Sequence, residues 1–508
     1  MLSPSYLEHA PDALTLLWQQ VEDDILRDVA RRISKMETLT PTANWQLWRY
    51  QQTEAVRQDV VKKLAQYTGK SEAAIRQLMQ EAATRALEAE DEIYYHYGKE
   101  PMPLEDSAAL QALLNAGYQQ TAGTFRNLTG TTANTVSGQF ETALDRAHLK
   151  VSTGAFDYKS AVKSAVDSLA DTMKYVTYPT GHQDTLEVAA RRAVLAGVNQ
   201  TAAKLQVARA DEMGVEFFAV TAHGGARPSH AAWQGKTYHR GGAVDYLGKH
   251  YEDFESVTGY GTGAGLCGWN CRHTFFSVFP ELGPAPNWTQ ESLAELNARD
   301  IEYNGQKYTR YEISQMQRAR ERAVRKWKRR YLAEDAAGSD TTVSAVKLRA
   351  ARGELADFVA KTGSRADSAR TMVSGFGRSA SSKASYLARK QERFDAANAE
   401  LQQMREAGII KSTGKLIESP PAPNELIANR DHVFQRMIER NMTLVDCDRI
   451  IESSKVALSQ WNGGQIVYYS EQGFVAVRSN GVISTLGPLD EGGKKLMEVV
   501  KKHGISHS

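Results

Sequence analysis

Two groups of residues in this sequence have types and spacings that could do chemistry. The first is Cys267-x3-Cys271-x-His273, with His230 upstream. Two thiolates and two imidazoles are a donor set suited to zinc, and structural zinc sites take four such ligands. The spacing is not that of a standard zinc knuckle. The alternative is that both cysteines are small buried groups and the histidines bond loop carbonyls. The second group is His432, Arg436 and Arg440, at i, i+4 and i+8. On a helix these project from one side, with Val433, Phe434, Met437 and Ile438 turned toward a core. Histidine moves protons near neutral pH and guanidiniums stabilise charge on phosphate oxygens, so the trio suits phosphodiester chemistry. Otherwise His432 caps the helix and the arginines are solvated. A third segment, RARERAVRKWKRR, has eight basic residues in thirteen: Arg318, Arg320, Arg322, Arg325, Lys326, Lys328, Arg329 and Arg330, with Trp327 among them. Its charges surround a helix axis and leave no wide apolar stripe. It is expected to be solvated or to meet an anionic partner, with Trp327 available for stacking on nucleic acid.

The glycines at 259, 261, 263, 265 and 268 surround Tyr260 and run up to Trp269, and no helix pattern follows them. A phosphate-cradling loop is therefore not expected.

These groups need elements to position them. The chain has 508 residues, a net charge of +2, 42% hydrophobic and 24% charged residues, which implies a soluble protein of several domains. Three cysteines in this length favour a reducing compartment over a secreted one. There is neither a signal-peptide pattern nor an apolar run long enough to span a bilayer, so no membrane partner is expected. Leu14, Leu17, Val21, Ile25, Val29 and Ile33 mark one face of a first helix. Helices are predicted over 43–66 and 71–89, the second capped by Ser71, and over 185–213, closed by Gly214. Residues 119–178 read as a mixed stretch broken by TGTTANT and by Tyr178-Pro179-Thr180-Gly181. Residues 215–221 read as a strand. From 223 to 283 the chain is rich in Gly, His, Tyr and Trp, the composition of a loop-dominated module. Polar helices return from 292 to 406, with breaks at 336–342 and 374–382. Ser-Pro-Pro-Ala-Pro near residue 420 reads as a stiff linker. Beyond it, helices over 430–440 and 444–453 and three β-rich runs, with an Asn480-Gly481 hairpin signal, predict a small α+β domain ending in a β-meander.

The strings GARPSHAAWQGK and GYGTGAGLCGWNCRHTFFSVFPEL, in that order behind the helix AARRAVLAGVNQTAAKLQVARADEM, resemble the signature of the phage minor capsid protein type 2 family, a relative of the Mu F-like head-morphogenesis proteins. Arg227, His230, Trp233, Gln234, Gly235, Gly259, Asn270, Cys271, Arg272 and His273 carry the match. The resemblance implies a virion protein at the portal vertex of the head, assembled in the host bacterial cytoplasm. Its implied partners are the portal, other head proteins and packaged DNA, and the named residues would stabilise the module or its portal contact. No cofactor is implied, leaving zinc as the residue-based alternative.

HVFQRMIERNMTLVDCDRIIESSK and the strands after it resemble phage-borne nuclease-type domains of the barnase/EndoU/colicin/RelE group. That likeness implies metal-independent RNA cleavage. His432 would be acid/base, Arg436 and Arg440 would stabilise the phosphate, and Thr485 would position it. The expected whole is a multidomain α+β chain, mainly helical in its N-terminal and middle regions, with a loop-rich α+β capsid module and a small C-terminal α+β domain. The expected divisions are 1–125 (helical), 126–290 (capsid module), 291–416 (basic helices and joints), 417–424 (linker) and 425–508 (nuclease-like). Two further readings stand beside the head-protein one. One is a toxin-like nuclease that uses the capsid module for delivery, and the other is a zinc-dependent nucleic-acid-binding protein.

Overall fold

A computed structural model of the chain describes residues 1–36, 43–153, 156–178, 180–283, 288–418, 420–428 and 431–505. Pro179, Ser419 and Arg430, which figure in the expected turn, linker and helix start, lie outside the described residues. The chain forms two compact units, Met1–Ala380 and Ser381–Ser508.

The first unit is built on helices α1 (Pro4–His9), α2 (Asp12–Ser34), α3 (Ala43–His96), α4 (Ala108–Ser152), α5 (Tyr158–Thr172) and α6 (Leu186–Met213). A two-stranded ribbon, β1 (Val176–Thr177) and β2 (Gln183–Asp184), joins the last two. The expected face of α2 is the buried one: Leu14, Val21, Ile25, Val29 and Ile33 are all inside, and Leu17 packs against them half-buried. The reading of two helices over 43–66 and 71–89 is corrected, because α3 runs unbroken through Gly69. Ser71 does not cap a helix. Its hydroxyl donates to the carbonyl of Tyr67 and accepts the indole N–H of the buried Trp18, 2.8 Å away. The break expected at TGTTANT is likewise absent. That stretch is the middle of α4, where Thr131 and Thr135 return their hydroxyls to the carbonyls of Asn127 and Thr131. Phe125, Leu128, Ala133, Val136 and Phe140 keep one face of the helix in the core. Packing thus overrides the weak helix propensity of Thr and Gly. Helices α4 and α6 approach closely through a reciprocal pair. A Cβ on Gly117 would meet Thr201 Oγ1 at 2.2 Å, and one on Gly197 would meet Thr121 Oγ1 at 2.2 Å.

Helix α6 ends as expected on Gly214, in the left-handed region at φ 64°. Strand β3 (Phe217–Val220), within the predicted 215–221, is the centre of a small antiparallel sheet ordered β4-β3-β7, with β4 (Thr237–His239) and β7 (Phe275–Ser277). Between them lie α7 (Pro228–Ala231), the ribbon β5 (Val244–Tyr246) and β6 (Lys249–Tyr251), and α8 (Phe254–Thr258). Helix α9 (Gln290–Leu296) and the ribbon β8 (Ile301–Tyr303) and β9 (Gln306–Tyr308) lead into α10 (Arg310–Ala336), which opens on a Thr309/Glu312 capping box. Helix α11 (Thr342–Thr362) follows the first expected break, while α12 (Arg378–Glu406) begins inside the second, so residues 378–382 are helical and only 374–377 remain a break.

The second unit takes in most of α12, then β10 (Lys415–Glu418), α13 (Asp431–Glu439), α14 (Leu444–Ser453), β11 (Val456–Gln460), β12 (Gln465–Ser470), β13 (Gly473–Arg478), β14 (Ile483–Gly487) and α15 (Glu491–Lys502). The five strands form an antiparallel meander in chain order. Alternation places Val456, Leu458, Val467 and Ala476 on one face, under α12 and α15, and Ala457, Tyr468, Val475 and Ile483 on the other, under α13 and α14.

Two expectations change here. The residues read as the start of a linker, Ile417 and Glu418, are strand β10 and pair with Ala457 and Val456. The proline run after them is tied down by Tyr468, whose hydroxyl donates to the carbonyl of Pro421 at 2.5 Å. It is a connection inside the second unit. The hairpin at Asn480-Gly481 is a three-residue loop. Of its residues only Gly481 has positive φ, at 80°, and its N–H donates to the carbonyl of Arg478. That is a type I turn closed by a glycine bulge, in place of the two-residue turn the dipeptide suggested.

Candidate functional site

Residues 222–282 carry only short elements of three to five residues joined by loops, and they are clamped from outside. Asn199, on α6, donates its amide to the carbonyls of Cys271 and His273, both at 3.1 Å. Two turns further along, Gln206 donates to the carbonyl of Phe275 and to the buried carboxylate of Glu90. Arg227 reaches across to the carbonyls of Ala264 and Trp269, and Arg272 pairs with Glu8 at 2.8 Å. The glycine loop needs glycine for close approach. A Cβ on Gly265 would stand 1.9 Å from the carbonyl oxygen of Gly259, which itself caps α8 at φ 65°. Gly235 sits at φ 71° with the side chains of Leu293 and Trp288 against it, and Asn270 takes φ 55°.

Inside this frame His230, on α7, and Cys271 and His273 converge, all buried. Trp233 covers them, its ring centroid 4.4 Å from that of His230 and 4.9 Å from that of His273. Burial pushes His230 down to about 4 and His273 down to about 2, so both rings are neutral, while burial also pushes the Cys271 thiol up. Among the four residues considered for zinc, Cys267 stands apart. Its Sγ lies against the carbonyl of His273 at 3.5 Å, and burial holds its thiol well above the ordinary range. A cavity of about 430 Å³ opens on the three convergent residues and is lined also by His223, Arg227 and Arg318. Glu8, Arg370 and the histidine at 223 were not singled out from sequence. Glu8 binds Arg272 and Arg370, each at 2.8 Å, and lies 3.9 Å from Arg318. No local pattern links residue 8 to residues more than 260 positions away.

The basic run of α10 finds its anionic partners within the chain. Arg329 binds Glu22 at 2.7 Å and Asp23 at 2.8 Å, and reaches Glu187 at 3.5 Å. Arg325 also pairs with Glu187. Arg330 binds Asp167, Asp171 and Glu334. Lys326 lies 3.3 Å from Asp171, Lys328 bonds the carbonyl of Thr371, and Arg320 covers the ring of Phe358 at 4.2 Å. Trp327 lies under the cations of Lys326 and Arg330. The picture of a helix whose charges all face solvent or phosphate is thus corrected: Arg325, Lys326, Arg329 and Arg330 stitch α10 to α2, α5 and α6. Arg322 and Lys326 are the exposed cations of the run.

In the second unit, α13 lies against β14. His432 is exposed, with Nε2 3.0 Å from the carbonyl of Ser484, and Arg440 donates to the carbonyl of Leu486. Arg436 is half-buried between them along the helix. Thr485 is not brought to this group. It pairs directly with Ala476, whose side chain faces α12 and α15, so it lies on the opposite face of the sheet. The expected packing of Phe434 and Ile438 is also corrected. They are 48% and 81% exposed, and only Val433 and Met437 of that set reach the core.

A long-helix scaffold, a clamped loop module and a separate meander unit define a multidomain α+β protein whose largest part is helical. The profile described as phage minor capsid protein 2 matches residues 2–360. The chain belongs to that family. It is a phage head protein with a role in head morphogenesis, its partners are other head proteins and its place is the virion. Among the described residues no helix is long and apolar enough to cross a membrane. Neither the curated proteins nor the solved structures contain a significant match.

Proposed function

We propose that this head protein sits at the portal vertex and carries its second unit as cargo. One observation supports this reading most. The family match stops at residue 360, while Ser381–Ser508 is a compact unit with its own two-sided core. In this reading the first unit makes the head contacts, and its Arg227, Trp233, Gln234, Gly235, Gly259, Asn270 and Arg272 hold the loop module in the shape that docks. Contact with packaged DNA is confined to Arg322 and Lys326, the exposed cations of α10, because Arg325, Arg329 and Arg330 are held in ion pairs within the unit. The test is co-sedimentation of the full-length protein with isolated portal rings. Recovery with the rings supports the reading, and recovery only with major shell protein opposes it.

A second reading, that the cargo unit cleaves RNA, draws on His432. With Nε2 tied to the Ser484 carbonyl, its Nδ1 carries the lone pair a general base needs, and Arg436 follows one turn on. Arg440 would hold the helix to β14 and, with Arg436, meet the phosphate. Thr485, on the other face of the sheet, is left out of this site. Cleavage by the full chain that is lost in both His432→Ala and Arg436→Ala supports the activity. Equal cleavage by all three proteins, or none by the parent, opposes it.

A further inference from the structure

His230 Nε2 lies 3.0 Å from the carbonyl of Ala264, so that nitrogen carries the proton and Nδ1 the lone pair. His273 Nε2 lies 2.9 Å from Gln234 Oε1. The same oxygen accepts the backbone N–H of His223 at 3.1 Å, which identifies it as the acceptor end of the amide. His273 therefore also donates through Nε2 and turns a lone pair out of Nδ1. Both Nδ1 atoms face Cys271 Sγ, each 3.6 Å away.

A thiol has one proton, so it can satisfy one of these two lone pairs. The other would be left unpaired in a buried place, at a cost of about 1–3 kcal/mol. A divalent cation satisfies all three donor atoms together. The dimensions agree: with Zn–S of about 2.3 Å and Zn–N of about 2.0–2.1 Å, a tetrahedral ion has S···N edges of roughly 3.6 Å. All three donor atoms lie within 4.8 Å of one another. The carbonyl of Ala264 and the amide of Gln234 are the outer partners that fix ligand histidines in the right tautomer.

We propose that His230 Nδ1, Cys271 Sγ and His273 Nδ1 bind a zinc ion, with the fourth position facing the cavity. Thiolate with imidazole is a donor set zinc favours. Cys267 is not a ligand; its Sγ lies outside the set of donor atoms that converge. The cavity brings Arg227, Arg272 and Arg318 to the open side, so the fourth ligand is an anionic oxygen or water, as in three-ligand zinc sites that keep a position open. On binding, Cys271 gives up its proton to solvent and coordinates as thiolate.

The test uses the full chain, stripped with a chelator and loaded with Co2+ or Zn2+. The parent protein should take up one ion and, with cobalt, show a sulfur-to-metal charge-transfer band. Cys267→Ser should keep the band. Cys271→Ser should lose it and bind zinc more than about 100-fold more weakly, beyond the loss expected for an outer-shell partner. X-ray absorption on the zinc-loaded parent needs no variant to fold, and should show one sulfur with nitrogen and oxygen neighbours. No stoichiometric uptake by the parent, a two-sulfur shell, or a band that survives in Cys271→Ser would each overturn the proposal.

Discussion

Arg329 of α10 places Nη1 2.7 Å from Oε1 of Glu22 on α2, deep in the first unit. With Asp23 and Glu187 on the same guanidinium and Arg325 also on Glu187, three carboxylates share two cations. Full ionisation would leave a net negative charge in the core. Burial, reinforced by the neighbouring Glu187 and Asp23, pushes Glu22 up to about 7 in spite of Arg329. One retained proton neutralises the cluster.

The sign of the resulting pH dependence follows. An unfolded Glu22 titrates near 4.5 and the folded one near 7, so the folded state holds the proton more tightly. Its contribution to stability is greatest below 4.5 and declines as pH rises through 7, by a few kcal/mol in total. Glu8 works in the opposite direction. Burial would raise it, but Arg272, Arg370 and Arg318 together hold it below its ordinary value, so its contribution is present above that value and lost in acid. Denaturant midpoints between pH 5 and 8 should fall with rising pH in the parent and flatten in Glu22→Gln. An unchanged slope in the variant would refute the assignment.

Removing the guanidinium is expected to do more harm than removing the acid. Arg329→Met strands Glu22 and Asp23 without their partner and should cost about 3–5 kcal/mol. Adding Glu22→Gln to it should recover part of that loss, since one buried charge disappears. Thermal melts of the two single variants and the double variant measure this directly; strictly additive losses would show that the pair is not coupled.

Two glycines should respond in opposite ways to the same change. Gly265→Ala drives a methyl into the carbonyl of Gly259 and should destabilise the loop module by about 2 kcal/mol or more. Gly130→Ala, in the middle of α4 with nothing within 4 Å of the new methyl, should stabilise by about 0.5–1 kcal/mol. Unfolding curves of both variants decide it, and a neutral Gly265→Ala would contradict the packing described.

If α10 meets DNA through Arg322 and Lys326 alone, few counterions are released. The plot of log affinity against log salt should then have a slope of roughly −2, and Arg322→Ala/Lys326→Ala should flatten it. A slope several times steeper, unchanged in the double variant, would mean that another surface binds.

The helical faces were readable because their cause is local. The periodic apolar residues of α2 and the glycine that ends α6 act within a turn or two of themselves. Long-range causes were not readable in the same way. TGTTANT looks like a break until Phe125 and Phe140 on either side of it are seen to share a core with α2 and α6. The basic run reads as a phosphate binder because its partners, Glu22, Asp23 and Glu187, come from distant helices. Cys271, His273 and His230 were legible by type, but only the fold separates them from Cys267. The position of Thr485 depended on strand register, where one bulge between Ala476 and Val477 decides which side chains share a face.

The placement at the portal vertex is tested most directly by comparing purified heads assembled with and without the portal. Quantitative mass spectrometry should find this protein only in portal-containing heads, at a fixed low ratio to portal. Peptides from residues 1–380 and 381–508 should be present in equal amounts. Equal incorporation into portal-less shells, in proportion to the major shell protein, would contradict it.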